Sequence, residues 1–179
     1  MTYVARSRST DKRFYGVAEA IITAVRDDGR VKVTYPWFDE TMESEWGRVM
    51  QFFAGPGHGA FFMPEVGSEV LVAFIQGDMR LPVILGGLFN GKDLPPGTND
   101  PLRTHVRHRR IESPTGQRIS FLDSAGGAVS ALILQDKSGN TISLSSTGTL
   151  TIESVGILQL KGAMITLNGR LVSPNPNPI

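Results

Sequence analysis

The sequence predicts an all-β protein in two parts, a small closed barrel followed by an intertwined β-prism built from several chains. Three observations carry this. Residues 117–168 read RISF, ALILQ, NTISLS, TLTIES, ILQLKG and MITLNG, runs in which apolar and small polar residues alternate with period two, so each run is a strand with one apolar and one wet face. Glycines at 126, 127, 139, 148, 156 and 162 divide the runs, and Ile142, Leu150, Leu158 and Ile165 mark a repeat of roughly eight residues, too short for a unit that carries its own core. Ahead of the repeat, strand-like runs are separated by hairpin signals and one long connection, the pattern of a small barrel that leaves no free edges.

Taken in order, residues 1–13 are polar and basic without periodicity and read as a flexible or partner-bound arm. The barrel domain spans 14–90. It opens with YGVAEAIITAV, the turn Arg26-Asp27-Asp28-Gly29 and RVKVTY; Asp-Gly between two such runs signals a hairpin, because the turn needs a positive φ. A helix over Ala18–Val25 competes on its alanines, but the β-branched residues favour a strand. PWFDETMES reads as a loop and EWGRVMQFF as the next strand. AGPGHGAFFMPEVG is a long connection whose Phe61, Phe62 and Met63 are expected to pack on the barrel or on a neighbouring subunit. SEVLVAFIQG and LPVILGGLFNG, turned at Gly77-Asp78, complete the set.

Residues 91–116 read as a linker and neck, stiffened by Pro95, Pro96 and Pro101. The neck ends in RTHVRHRRIES, a dense basic run that is either a solvated patch or a partner contact through Arg107, Arg109 and Arg110. In the repeat, Ile119, Phe121, Leu134, Ile142, Leu144, Leu150, Ile152, Leu158, Leu160, Ile165 and Leu167 are the expected shared core, with Thr141, Ser143, Ser145, Thr149, Thr151, Gln159 and Thr166 on the wet face. Facing at 131–134 and 155–158 is left open by consecutive apolar residues. A single copy would be a one-sided ribbon with open edges, which templates aggregation, so other copies are expected to complete it. Residues 169–179 form a tip, where Pro174, Pro176 and Pro178 before Ile179 stop the hydrogen-bonded ladder.

The net charge of +1 argues for neither nucleic acid nor an anionic surface, and the absence of cysteine excludes disulfide and thiolate chemistry. The first residues lack the apolar run of a signal peptide, so export is expected to proceed without one. No enzymatic activity, metal or other cofactor is expected. Asp39, Glu40, Glu43 and Glu45 cluster in one loop and read as solvated acids rather than an acid–base pair. Ser68 lies outside any nucleophile elbow, and His58 reads as a polar residue on a glycine-rich loop. His105 and His108 have metal-pair spacing, but Arg107, Arg109 and Arg110 oppose a cation there.

RVKVTYPWFDE, EWGRVMQFFAGPGHGAFFMPEVGSEVLVAFIQGD and RLPVILGGLFNGKDLPP together resemble the OB-fold domain of contractile-injection spike proteins, the VgrG proteins and phage baseplate assembly protein V. RRIESPTGQRISFLD resembles that family's entry into a triple-stranded β-helix. The resemblance implies a homotrimer with an OB collar and a needle, a separate hub protein contacted by the arm, a tube protein reached indirectly, a PAAR-type tip protein and a target membrane. It also implies assembly in the cytoplasm into the baseplate of a virion or related particle. With no histidine after His108, a metal-bearing tip is not expected. The rival reading is an OB-fold module for oligonucleotide or saccharide.

Overall fold

The computed structural model describes residues 13–96, 108–123 and 129–172. Arg107, His105 and the tip residues Pro174, Pro176, Pro178 and Ile179 lie outside them. The chain divides into two units, Met1–Pro95 and Pro96–Ile179, and its described residues are all-β apart from one turn of 3-10 helix.

The first unit contains β1 (Val17–Val25), β2 (Arg30–Tyr35), β3 (Asp39–Glu43), β4 (Gly47–Val49), the short pair β5 (Ala54–Gly55) and β6 (His58–Gly59), β7 (Glu69–Phe74) and β8 (Pro82–Gly87). β1 is long enough to serve two neighbours: Val17–Ile21 pair with β7 and Ile21–Val25 with β2, with a register shift between Ile22 and Ala24 that bends the strand. β7 continues to β8, β8 runs parallel to β4, and β4 returns to β2, so five strands close into an OB-like barrel with β3 added outside β2.

Period-two alternation fills the interior. Ala18, Ala20 and Ile22 of β1, Val31, Val33 and Tyr35 of β2, Val70 and Val72 of β7 and Ile84 of β8 form one buried cluster. The Ala18–Val25 stretch is a strand because both of its edges find partners, which outweighs the helix preference of its alanines. At the β4–β8 contact the backbones come so close that a Cβ on Gly47 would lie 2.6 Å from the Pro82 carbonyl oxygen. Tyr35 is fully buried, and its hydroxyl donates to the Met79 carbonyl at 2.8 Å.

Three local features differ from the sequence reading. The predicted loop PWFDETMES carries β3, because Asp39–Glu43 can lie along the free edge of β2. The predicted strand EWGRVMQFF is paired in the sheet only over Gly47–Val49; Met50 N still donates to the Ile84 carbonyl at 2.8 Å, and the chain then leaves for the β5–β6 hairpin. The Gly77-Asp78 turn is a 3-10 turn over Ile75–Gly77 in which Gln76 itself is left-handed, at φ +53°.

The second unit is an antiparallel sheet of β9 (His108–Glu112), β10 (Arg118–Leu122), β11 (Ala131–Gln135), β12 (Thr141–Ser145) and β13 (Leu150–Glu153), in sequence order. It starts within the stretch read as neck, since the Ser113–Gly116 turn folds HRRIE back on RISFL. Beyond it, β14 (Thr166–Leu167) and β15 (Arg170–Leu171) form a small hairpin. The run ILQLKG, predicted as a strand, has no strand partner among the described residues.

Candidate assembly interface

The register of the second sheet decides which side chains share a face. Residues directly opposite in an antiparallel pair lie on the same side, so Ile111, Ile119, Leu134, Ile142 and Ile152 form one row across all five strands. Phe121, Leu132, Leu144 and Leu150 form a second row beside it, continued at its β9 end by Arg109. Of the predicted core, Ile119, Phe121, Leu134, Ile142, Leu144, Leu150 and Ile152 therefore stand together on one apolar face. Ile111 and Leu132 belong to it as well. Ile111 was hidden in a basic run, although RRIE followed by a Ser-Pro-Thr-Gly turn is itself a hairpin signal; Leu132 was masked by its apolar neighbours.

This apolar face is the exposed one. Leu150 is 62% exposed, Ile152 50% and Phe121 48%. The reverse face, mainly polar but carrying Leu122, Ala131 and Ile133, is better covered over β10 and β11: Ser120 is buried, and Arg110, Glu112, Arg118 and Gln135 are half-buried. Long side chains lie along it, joined by an Arg110–Glu112 ion pair at 3.0 Å and by the Arg118 guanidinium donating to Gln135 Oε1. A free-standing sheet would do the opposite, turning its greasy side away from water. Leu158, Leu160 and Leu167 are also exposed, outside this sheet.

The loops of the sheet are held by side chains. Asn140 donates through Nδ2 to Asp136 Oδ2 at 2.6 Å, and its Oδ1 accepts from Val155 N at 2.9 Å, tying the β11–β12 turn to the end of β13. The hydrogen bond from Asn140 holds the Asp136 carboxyl below its usual range. Arg109 pairs with Asp123, so the two described members of the basic trio, Arg109 and Arg110, both carry an acidic partner.

Two of the candidate catalytic groups of the barrel are engaged by neighbouring side chains. Asp39 Oδ1 accepts from Thr41 Oγ1 at 2.7 Å and from Thr41 N at 2.9 Å, which keeps its carboxyl below the usual range. Glu43 accepts from Lys32 Nζ at 2.6 Å and from Thr23 Oγ1 at 2.8 Å, with the same effect. Glu40 lies in β3 with them. His58 sits on the β5–β6 hairpin, its Nδ1 3.2 Å from the Pro56 carbonyl oxygen. Among the described residues no three His, Cys, Asp or Glu are grouped to hold a metal, and no helix is long and apolar enough to cross a membrane. Arg26 and Lys32 both lie over the Trp46 ring, 5.0 and 5.4 Å from its centroid, the one place among the described residues where cations are found against an aromatic ring as an oligonucleotide surface would need. Here, though, Arg26 is bound by Asp28 and Lys32 by Glu43.

Residues 17–89, which contain the closed barrel, match the type VI secretion system/phage-baseplate injector OB domain. Over this domain the chain is similar to the VgrG and phage-baseplate spike proteins. Among its relatives, the actin cross-linking toxin VgrG1 of Vibrio cholerae is 33% identical over 106 residues, 56% of this chain and 10% of the relative. The type VI secretion system spike protein VgrG3 of the same species is 36% identical over 105 residues, 55% of this chain and 10% of the relative. The spike protein VgrG2a of Pseudomonas aeruginosa is 26% identical over 122 residues, 65% of this chain and 14% of the relative. The chain thus spans about a tenth of the length of these VgrG spike proteins.

Proposed function

We propose that this VgrG-like chain is the structural central spike of a contractile injection machine, a phage tail, tailocin or related particle. Three copies braid their second units into a triple-stranded β-helix, a needle driven through the target membrane, with the OB barrels as its collar. The observation that carries this reading is the apolar double row of the second sheet, which stays exposed in the single chain. Braiding places Ile119, Phe121, Leu134, Ile142, Leu144, Leu150 and Ile152, continued by Leu158, Leu160, Ile165 and Leu167, against the same residues of two siblings. A load along the needle is then shared by many backbone hydrogen bonds, each contributing about 0.5–1.5 kcal/mol net, that have to fail together.

The role needs no catalytic group and no cofactor. In this reading the collar meets a separate hub protein of the baseplate, the tube lies beyond it, and a PAAR-type protein closes the tip. Assembly takes place in the cytoplasm, with release as part of the particle. Electrophoresis of the intact chain in SDS tests the proposal: without boiling it should migrate as a trimer and, after boiling, as a monomer. Migration as a monomer under both conditions contradicts it.

A further inference from the structure

The apolar face of the second sheet carries an ion pair at one end. From β10 to β13 each strand supplies the same two apolar positions, Ile119 with Phe121, Leu134 with Leu132, Ile142 with Leu144 and Ile152 with Leu150. β9 breaks the pattern: Ile111 continues the first row, but the second row ends in Arg109, opposite Phe121. Alternation along β10 puts Asp123 on that same side, two residues past Phe121, and there it pairs with Arg109. Both side chains are 61% exposed.

A pair so exposed contributes little to the single chain. The β9–β10 hairpin is already held by continuous pairing from Arg118–Glu112 to Leu122–His108 and by the Ser113–Gly116 turn. The pair matters where copies meet. If three chains join on the two apolar rows, those rows alone leave their alignment open, because a copy displaced by two strands keeps its strand direction and again sets leucine and isoleucine against their like. Only β9 registers the error. Displaced, the Arg109–Asp123 pair is taken out of water against Leu132 of the neighbouring copy, and the cost of stripping both charges exceeds their mutual attraction. Aligned, the guanidiniums and carboxylates of all three copies lie at one level, and each charge gains an opposite one on the next chain.

We infer that Arg109 and Asp123 form a charged layer between copies of this chain, Arg109 of one meeting Asp123 of the next, and that this layer fixes which strands of the copies lie level. One basic and one acidic group on the same face are complementary to themselves, which is what a ring of identical chains requires. A single polar position that sets alignment at some loss of stability is the device by which coiled coils choose their register. The layer presupposes the three-chain needle of the spike reading, and the test separates the two.

The test is assembly in trans. Arg109→Asp leaves only carboxylates in the layer and Asp123→Arg only guanidiniums, so each variant alone should give at least about tenfold less SDS-resistant trimer than the wild type. Co-produced, the two should recover it as mixed trimers, which a pair acting within one chain cannot do. Alignment is read separately, with single cysteines in a chain that has none of its own. Phe121→Cys and Leu144→Cys lie two strands apart, about 10 Å and beyond disulfide reach, so co-produced chains should form no mixed disulfide. With Arg109→Leu/Asp123→Leu added to both, trimers should still form and the mixed disulfide should appear. Full assembly of either charge variant alone, no recovery in the mixture, a mixed disulfide with the layer intact or none without it overturns the inference and leaves the spike reading standing. A wild-type chain that stays monomeric overturns both.

Discussion

Leu144 and Leu150 stand directly opposite each other across the β12–β13 pair, on a face where both remain largely exposed. Thr151, one residue on, faces Ser143 on the other side. If the Leu144–Leu150 side is where three chains meet, Leu150→Asp brings three carboxylates towards one axis, each costing several kcal/mol to desolvate. Leu150→Asp should abolish the SDS-resistant oligomer, while Thr151→Asp should leave it intact. Gel migration of unboiled samples distinguishes the two, and equal behaviour of the two variants would mean that the facing is misassigned.

Tyr35 is the polar keystone of the barrel. Burial pushes its phenol well above the ordinary range, and its hydroxyl serves the Met79 carbonyl. Tyr35→Phe keeps the ring contacts with Trp37 and Phe74 but leaves that carbonyl without its donor. The expected cost is about 1–3 kcal/mol, read as a lower denaturation midpoint of the barrel with an unchanged denaturant slope.

Gly47 should not tolerate a side chain. The clash that its Cβ would meet is with backbone, the Pro82 oxygen, and with the Pro82 ring at 2.8 Å, so no flexible chain end can yield. Gly47→Ala is expected to destabilise the barrel by about 1–3 kcal/mol or more by forcing β4 off β8. Urea unfolding measures this directly.

The turn between β7 and β8 should loosen in acid. Hydrogen bonds from the Arg80 side chain and backbone lower the Asp78 carboxyl to about 2. A carboxyl whose folded value lies below its unfolded one contributes stability that is full above the unfolded value near 4 and is lost as pH falls towards about 2. Amide exchange in the 75–81 turn should therefore accelerate over that window in the wild type, and the acid dependence should vanish in Asp78→Asn.

Asn140 joins two loops of the second sheet through one side chain. Asn140→Ala removes the bond to Val155 N and releases Asp136 from the partner that lowers its carboxyl, so the Asp136 titration midpoint should rise towards the ordinary aspartate value. Carbon-detected NMR of the Asp136 carboxyl gives the answer, independently of oligomeric state.

Much of this was legible in the residues because strand alternation is a local signal. Val31, Val33 and Tyr35 or Ile142 and Leu144 announce their side of a sheet without reference to anything else. What stayed hidden depends on partners far along the chain. Asp39–Glu43 is a strand only because β2 offers it an edge, and the EWGRVMQFF run pairs only over Gly47–Val49, where β8 lies beside it. The 131–134 facing was undecidable from a run of four apolar residues, and pairing of Leu132 with Leu144 and of Leu134 with Ile142 assigns it. Gln51 could not have been singled out by any motif, since its role is to bridge to Phe62, eleven positions away.

Sedimentation equilibrium of the intact chain at micromolar concentration asks most directly whether the exposed leucines and isoleucines are made to meet their copies. The spike reading predicts a single species of three times the 19.4 kDa chain mass. A folded, monodisperse species of 19.4 kDa would contradict it.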